Sequence, residues 1–168
     1  MAGRTSAALG SALFLVVAPG TVAGLVPWWV TRWVMRAPLF GVAAIRLVGV
    51  FLIALGVVVL LDSYLRFVRQ GIGTPAPVFP TRHLVVSGLY RNVRNPIYLA
   101  VASVILGQGL VLGSLALVVY SAVFWLACHA FVLIYEEPTL RRTFGTEYAD
   151  YCANVPRWLP RLRRWTGG

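Results

Sequence analysis

Residues 87 to 98, SGLYRNVRNPIY, set Tyr90, Arg91, Arg94 and Asn95 directly ahead of Pro96, which opens a long apolar run. Asn followed by Pro is a good N-cap and first helical residue, so a helix begins at Pro96 with free backbone N–H groups. With Arg91 and Arg94 beside it, that terminus attracts a carboxylate or phosphate. The same arginines could equally anchor a helix to anionic lipid, and from this feature alone the two readings stand level. Glu136 and Glu137 form the second constellation, as the only charges of another apolar run, which they close. Two carboxylates at a helix C-terminus oppose its macrodipole and call for a cationic partner. That partner is Arg91 or Arg94 across the fold, or the ammonium or ribose of a bound ligand. His129 lies two turns before Glu136 and shares its face. A lone His in an apolar helix is more often a packing or hydrogen-bonding residue, and catalysis is the rival reading.

These residues need elements to hold them, and the composition says which. The 168 residues are 59% hydrophobic with a mean hydropathy of +0.78 and a net charge of +10, carried by arginine without lysine. That is the profile of an all-α integral membrane protein of one domain, not of a nucleic-acid-binding one, because the arginines flank apolar runs. Cys128 and Cys152 offer neither CxxC spacing nor a disulfide pattern, so no metal site is expected. Four transmembrane helices are predicted, at about 7–30, 39–61, 96–112 and 115–135, each near the ~20 residues that cross a bilayer. Pro19-Gly20 should kink the first, and Trp28, Trp29 and Trp33 mark its exit. Arg46 sits near the start of the second and can snorkel to the interface. The connection over 70–95 is rich in Gly and Pro, excluding a continuous helix, and Gly71-Ile72-Gly73 within it reads as a turn.

Gly113-Ser114 separates the last two spans without a charge, as in a tight helical hairpin. Its two ends return to one side, which brings Arg91, Arg94 and Asn95 to the level of Glu136 and Glu137. Most arginines fall on that side and only Arg32 and Arg36 opposite, so the positive-inside rule places both termini and the site in the cytoplasm, at a bacterial inner membrane. After Pro138, Leu140, Phe144, Tyr148 and Tyr151 recur at spacings of four, four and three. This stripe predicts a C-terminal amphipathic helix lying on the membrane surface.

GLYRNVRNPIY, then a hairpin, then HAFVLIYEEPTLRRTFGTEYADYCANVPRWLP, resembles the isoprenylcysteine carboxyl methyltransferase and phospholipid N-methyltransferase superfamily of membrane enzymes, over residues 73–160. The resemblance puts the family's Arg-His/Asn-Pro-x-Tyr element on Arg94, Asn95, Pro96 and Tyr98. Its paired glutamates fall on Glu136 and Glu137, its FGxxYxxY element on Phe144, Gly145, Tyr148 and Tyr151, and its Val-Pro-Arg on Val155, Pro156 and Arg157. It implies S-adenosylmethionine as cofactor and methylation of a lipophilic acceptor embedded in the bilayer. Tyr90, Arg91, Tyr98, His129, Glu136, Glu137, Tyr148 and Tyr151 would then surround the cofactor, and Arg94, Asn95 and Arg157 would orient charge in the reaction. Such a transfer needs an in-line nucleophile, exclusion of water and groups that hold both reactants. Asn95 stands where the prenylcysteine branch has His, and Ala100 where a glycine is common. Two other readings stay open: a non-catalytic membrane protein binding anionic lipid or a protein partner, and a sterol-reductase-like enzyme using NADPH.

Overall fold

The computed structural model describes residues 17–70, 84 and 86–166, without the side chains of 67–70. All regular structure among them is helical. A π turn, Thr21–Leu25, leads into α1, Val26–Thr31; α2 is Ile45–Gln70, α3 is Pro96–Leu112 and α4 is Leu115–Phe131. A second π turn, Val132–Glu136, carries the chain from α4 into α5, Glu137–Asn154.

Two of these helices, not four, are long and apolar enough to cross a membrane: the stretch Ile45–Arg66 of α2 and the continuous helix that begins at Leu115. Helix α3 is as apolar but only 17 residues long, which at 1.5 Å per residue is about 25 Å. The predicted first span falls partly outside the described residues, and its described part holds a π turn directly after Pro19-Gly20 in place of the expected kink. That turn takes carbonyls out of α-helical register. Gln108 of α3 donates to the carbonyl of Ala23 at 2.7 Å and Tyr120 of α4 to that of Val22 at 3.0 Å, tying the irregular segment to the hairpin. The second span is shifted: residues 39–44 are a turn, and α2 runs on to Gln70. Arg46 thus stands at the first turn of α2, where its guanidinium reaches the Arg36 carbonyl at 2.6 Å.

Helices α2 and α3 make the most extensive contact in the molecule. Glycines permit it. A Cβ on Gly107 would come within 2.6 Å of the Gly49 carbonyl oxygen, and one on Gly56 within 2.7 Å of that of Ala100. The backbones therefore touch where two side chains would hold them apart, as small residues allow between apolar helices. The hairpin is as predicted. Gly113 takes the left-handed conformation (φ 67°) as the C-cap of α3, and Ser121 of α4 donates to the Ala102 carbonyl of α3 at 2.9 Å.

Two departures affect the site. The helix does not stop at Glu136; it continues to Asn154, with a bend at Gly145 (φ 53°, ψ −122°) that only glycine adopts readily. The stripe of Leu140, Phe144, Tyr148 and Tyr151 is also not left for a membrane alone to cover. It packs on the chain's own Leu84, Val86 and Trp165, leaving Tyr148, Tyr151 and Val155 buried. An apolar stripe reports that something covers it, and here the partner is the protein.

Candidate functional site

The hairpin brings the start of α3 and the end of α4 to one end of the molecule, where the C-terminal segment closes over them. The Tyr98 hydroxyl, in the first turn of α3, donates to Glu136 Oε2 at 2.9 Å. Arg94 Nη1 lies 2.9 Å from Glu137 Oε1. Arg157, just past α5, grips the same carboxylate with both arms, Nε to Oε1 at 2.6 Å and Nη2 to Oε2 at 3.0 Å. Such two-pronged pairing fixes direction as well as distance. The cationic partners are therefore Arg94 and Arg157, not Arg91, and both serve Glu137.

The two glutamates end in different states, though they are neighbours in sequence. Both lie past the last apolar residues of α4, at the polar end. Burial pushes the Glu137 carboxyl up, but the hydrogen bond from Arg157 and the charges of Arg94, Arg157 and Arg141 outweigh it and hold the group below the usual carboxylate value. Glu136 is raised, chiefly by burial and further by the charge of Glu137, against the lowering effect of the Tyr98 hydroxyl. Glu137 is a committed anion. Among the described residues Glu136 has only the Tyr98 hydrogen bond, leaving Oε1 without a partner.

Asn95 is not the side-chain cap its position suggested: its Nδ2 donates instead to the Arg157 carbonyl at 3.2 Å. The Arg94 backbone N–H donates to the Pro156 carbonyl at 2.9 Å. The Asn-Pro junction thus docks the Val155-Pro156-Arg157 segment, which turns Arg157 toward Glu137. Pro96 opens α3 as expected. Tyr151 donates from its hydroxyl to the Tyr90 carbonyl at 2.7 Å, and burial keeps both phenols well above their ordinary pKa, as protonated groups.

Two expected site residues have other partners than the glutamates. Arg91 pairs with neither glutamate; its Nε donates to the Val86 carbonyl at 3.3 Å, and it lines a cavity beside α2 whose lining includes neither of them. His129 accepts from Trp158 Nε1 at 2.8 Å and stacks on Trp125, with ring centroids 5.4 Å apart. His129 thus meets the tail through Nδ1. Sequence reading missed Cys152, whose sulfur accepts a hydrogen bond from Arg94 Nη1. It lies one turn after Tyr148, a helical spacing that could have placed it on the same face. Nothing in the sequence pointed to Trp158 meeting His129.

This arrangement gathers a half-buried carboxylate with a free oxygen, two guanidiniums held by a second carboxylate and a set of buried phenols, at the polar end of an apolar hairpin. Among the described residues the buried Nε of Arg94 has no hydrogen-bond partner. No curated protein and no solved structure matches the chain. The phospholipid methyltransferase family matches over residues 44–147, from the start of α2 through the glutamates to just before Tyr148. The chain belongs to that family, and with it to the superfamily of isoprenylcysteine carboxyl and phospholipid methyltransferases.

Proposed function

We propose that the protein transfers a methyl group from S-adenosylmethionine to a lipophilic acceptor that reaches the polar end of the hairpin from the bilayer. The observation that carries this reading is the division of labour between Glu136 and Glu137. One carboxylate is spent on Arg94 and Arg157, while the other keeps an oxygen for a ligand.

The residues fit the cofactor. Glu136 would accept from its ammonium or ribose hydroxyls, Tyr98 would hold Glu136 in place, and the unpartnered Nε–H of Arg94 suits its carboxylate. Tyr90, Tyr148 and Tyr151 offer aromatic walls that favour a cation. When bound, the cofactor supplies a methyl on a sulfonium sulfur that departs as a neutral thioether. The chain then has only to orient the acceptor's nucleophile and exclude water. Arg157 is the more open of the two guanidiniums, its side chain 30% exposed against 11% for Arg94, and is the better placed to meet charge on the acceptor. Asn95 acts through Arg157, as a positioning residue. Whether the acceptor atom is oxygen, nitrogen or sulfur is set by the acceptor.

The test is calorimetric binding of S-adenosylmethionine and S-adenosylhomocysteine to protein in nanodiscs, with NADPH as a control. Glu136→Gln, which keeps the shape and the Tyr98 contact, should weaken binding about tenfold or more, the loss of one charge-assisted hydrogen bond. Unchanged affinity in folded Glu136→Gln protein would remove the assignment.

A further inference from the structure

A cavity of about 570 Å³ opens beside α2, away from the glutamates, lined by Val58, Val59, Asp62, Arg66, Leu89, Arg91 and Arg164 with the backbone turn at Ser87-Gly88. Its charges do not balance internally. Arg66 is neutralised by Asp62 through Nε–Oδ2 at 2.7 Å and Nη2–Oδ1 at 2.8 Å. Among the described residues no carboxylate pairs with Arg91 or Arg164. The Arg66 guanidinium lies where a Cβ on Gly88 would sit, and Gly88 has φ 56°, so the turn closes onto Arg66 only with glycine there. The cavity therefore presents two unbalanced guanidiniums on a floor of valine and leucine.

Its wall continues as an apolar track. From Val58, the exposed residues Leu55, Phe51 and Leu47 follow at spacings of three, four and four along the outer face of α2. This is one helical stripe about 16 Å long, running from the cationic cavity toward the opposite end of the molecule. A cationic pocket at one end of an exposed apolar stripe matches a single kind of molecule.

We infer that this cavity binds the phosphate of an acidic phospholipid, with an acyl chain lying along Val58, Leu55, Phe51 and Leu47. Arg91 and Arg164 are the phosphate ligands, and the Asp62–Arg66 pair shapes the floor. Guanidinium pairs suit phosphate oxygens. The headgroup is acidic and not zwitterionic because an ammonium would have only Asp62 to meet, and both oxygens of Asp62 are already engaged by Arg66. The site is distinct from the proposed cofactor site, of whose expected residues it shares Arg91 alone.

Native mass spectrometry of the protein released from nanodiscs of equal phosphatidylglycerol and phosphatidylcholine tests it. Wild-type protein should retain phosphatidylglycerol in preference. Arg91→Gln/Arg164→Gln should lower that preference about tenfold. Arg142→Gln/Arg163→Gln, which removes the same charge from exposed positions outside the cavity, should leave it within twofold. Equal losses in the two variants would reduce the effect to general surface charge and overturn the site. A preference unchanged in Arg91→Gln/Arg164→Gln protein of native helicity would overturn it as well. Inorganic phosphate distinguishes the source: displacement of lipid only at tens of millimolar supports an amphiphile site, whereas displacement at micromolar phosphate would make this a site for a free anion and overturn the lipid reading. Cofactor binding does not enter these readouts, so their failure and that of the methyl-transfer reading are separable.

Discussion

The seam between α2 and α3 and the cluster around Glu137 hold α3 to its neighbours by opposite means. In the seam, Gly49, Gly56 and Gly107 bring backbones into contact with no charge between them. In the cluster, Arg94, Glu137 and Arg157 fix a geometry through a nearly buried carboxylate, its side chain 9% exposed. Apolar contact between helices in lipid gains little from the hydrophobic effect, so the seam depends on fit. A buried ion pair gains little net stability, because desolvation offsets attraction, but it is costly to break on one side. The seam therefore secures the fold, and the cluster secures the position of the groups that would touch ligand.

Breaking the seam should have the largest effect. Gly107→Leu must push α3 off the Gly49 carbonyl along the whole contact, and a cost of about 3 kcal/mol or more is expected. The readout is detergent unfolding followed by far-UV circular dichroism. Gly145→Leu, where a Cβ meets nothing but the backbone is left-handed, separates strain from fit. It should cost less, about 1 to 2 kcal/mol.

Glu137→Gln comes next. It leaves Arg94 nearly buried and uncompensated while Arg157 can turn to solvent, so about 2 kcal/mol is expected, below the range for a fully buried pair. Glu137→Gln combined with Arg94→Met should recover part of that loss, since the stranded charge goes with its partner. A double variant no more stable than Glu137→Gln would mean that Arg94 does not depend on Glu137.

How much of this was legible beforehand follows the same division. The hairpin, the helix start at Pro96 and the meeting of its two ends could be read, because Gly113-Ser114 and Asn95-Pro96 are local signals and two antiparallel helices allow one arrangement. The pairing of Arg94 with Glu137 was within reach for the same reason. That Arg91 would take other partners was not, since it stands three positions before Arg94 and its direction depends on the short helical turn at 88–91. The apolar stripe of α5 was read as lying on the membrane surface, but periodicity does not name the cover, and in the fold Leu84, Val86 and Trp165 pack on it. Charge also misled. The pair Glu136-Glu137 looked like an end, yet the π turn carries the helix through it, because Tyr98, Arg94 and Arg157 satisfy the carboxylates from outside.

The two glutamates also divide by pH. Glu137 has a folded-state pKa below its ordinary value, so its contribution to stability is complete above that ordinary value and is lost as pH falls through the folded-state value. Glu136 is raised, so it costs stability at neutral pH and that cost disappears as pH falls through its folded-state value. On acidification the wild-type protein should therefore first gain stability, above the ordinary carboxylate value, as Glu136 protonates, and then lose it below that value as Glu137 does. Glu136→Gln should steepen the loss of stability toward low pH, and Glu137→Gln should reverse it, so that stability rises on acidification. Melting temperatures of the three proteins from pH 7 down to about pH 2 give the comparison, because the Glu137 window lies below the ordinary carboxylate value, and identical profiles in all three would show that the neighbours are not in different states.

The smallest effect concerns the tail. Trp158→Phe keeps an aromatic ring beside Trp125 but removes the donor to His129 Nδ1, at a cost of about 1 kcal/mol, the net value of one hydrogen bond. Its position makes it more informative than its size. Trp158 follows Arg157 directly, so freeing the indole loosens the residue that grips Glu137, while Arg94 stays held from α3. If the tail delivers Arg157 to the site, Trp158→Phe should weaken binding of S-adenosylmethionine more than its stability cost implies, and His129→Gln, whose side-chain oxygen can still accept from Trp158, should restore affinity relative to His129→Leu. Equal affinity in the Gln and Leu variants would mean that Glu137 and the contacts from Arg94 and Asn95 hold Arg157 without the indole, and that the rest of the tail is only a cover.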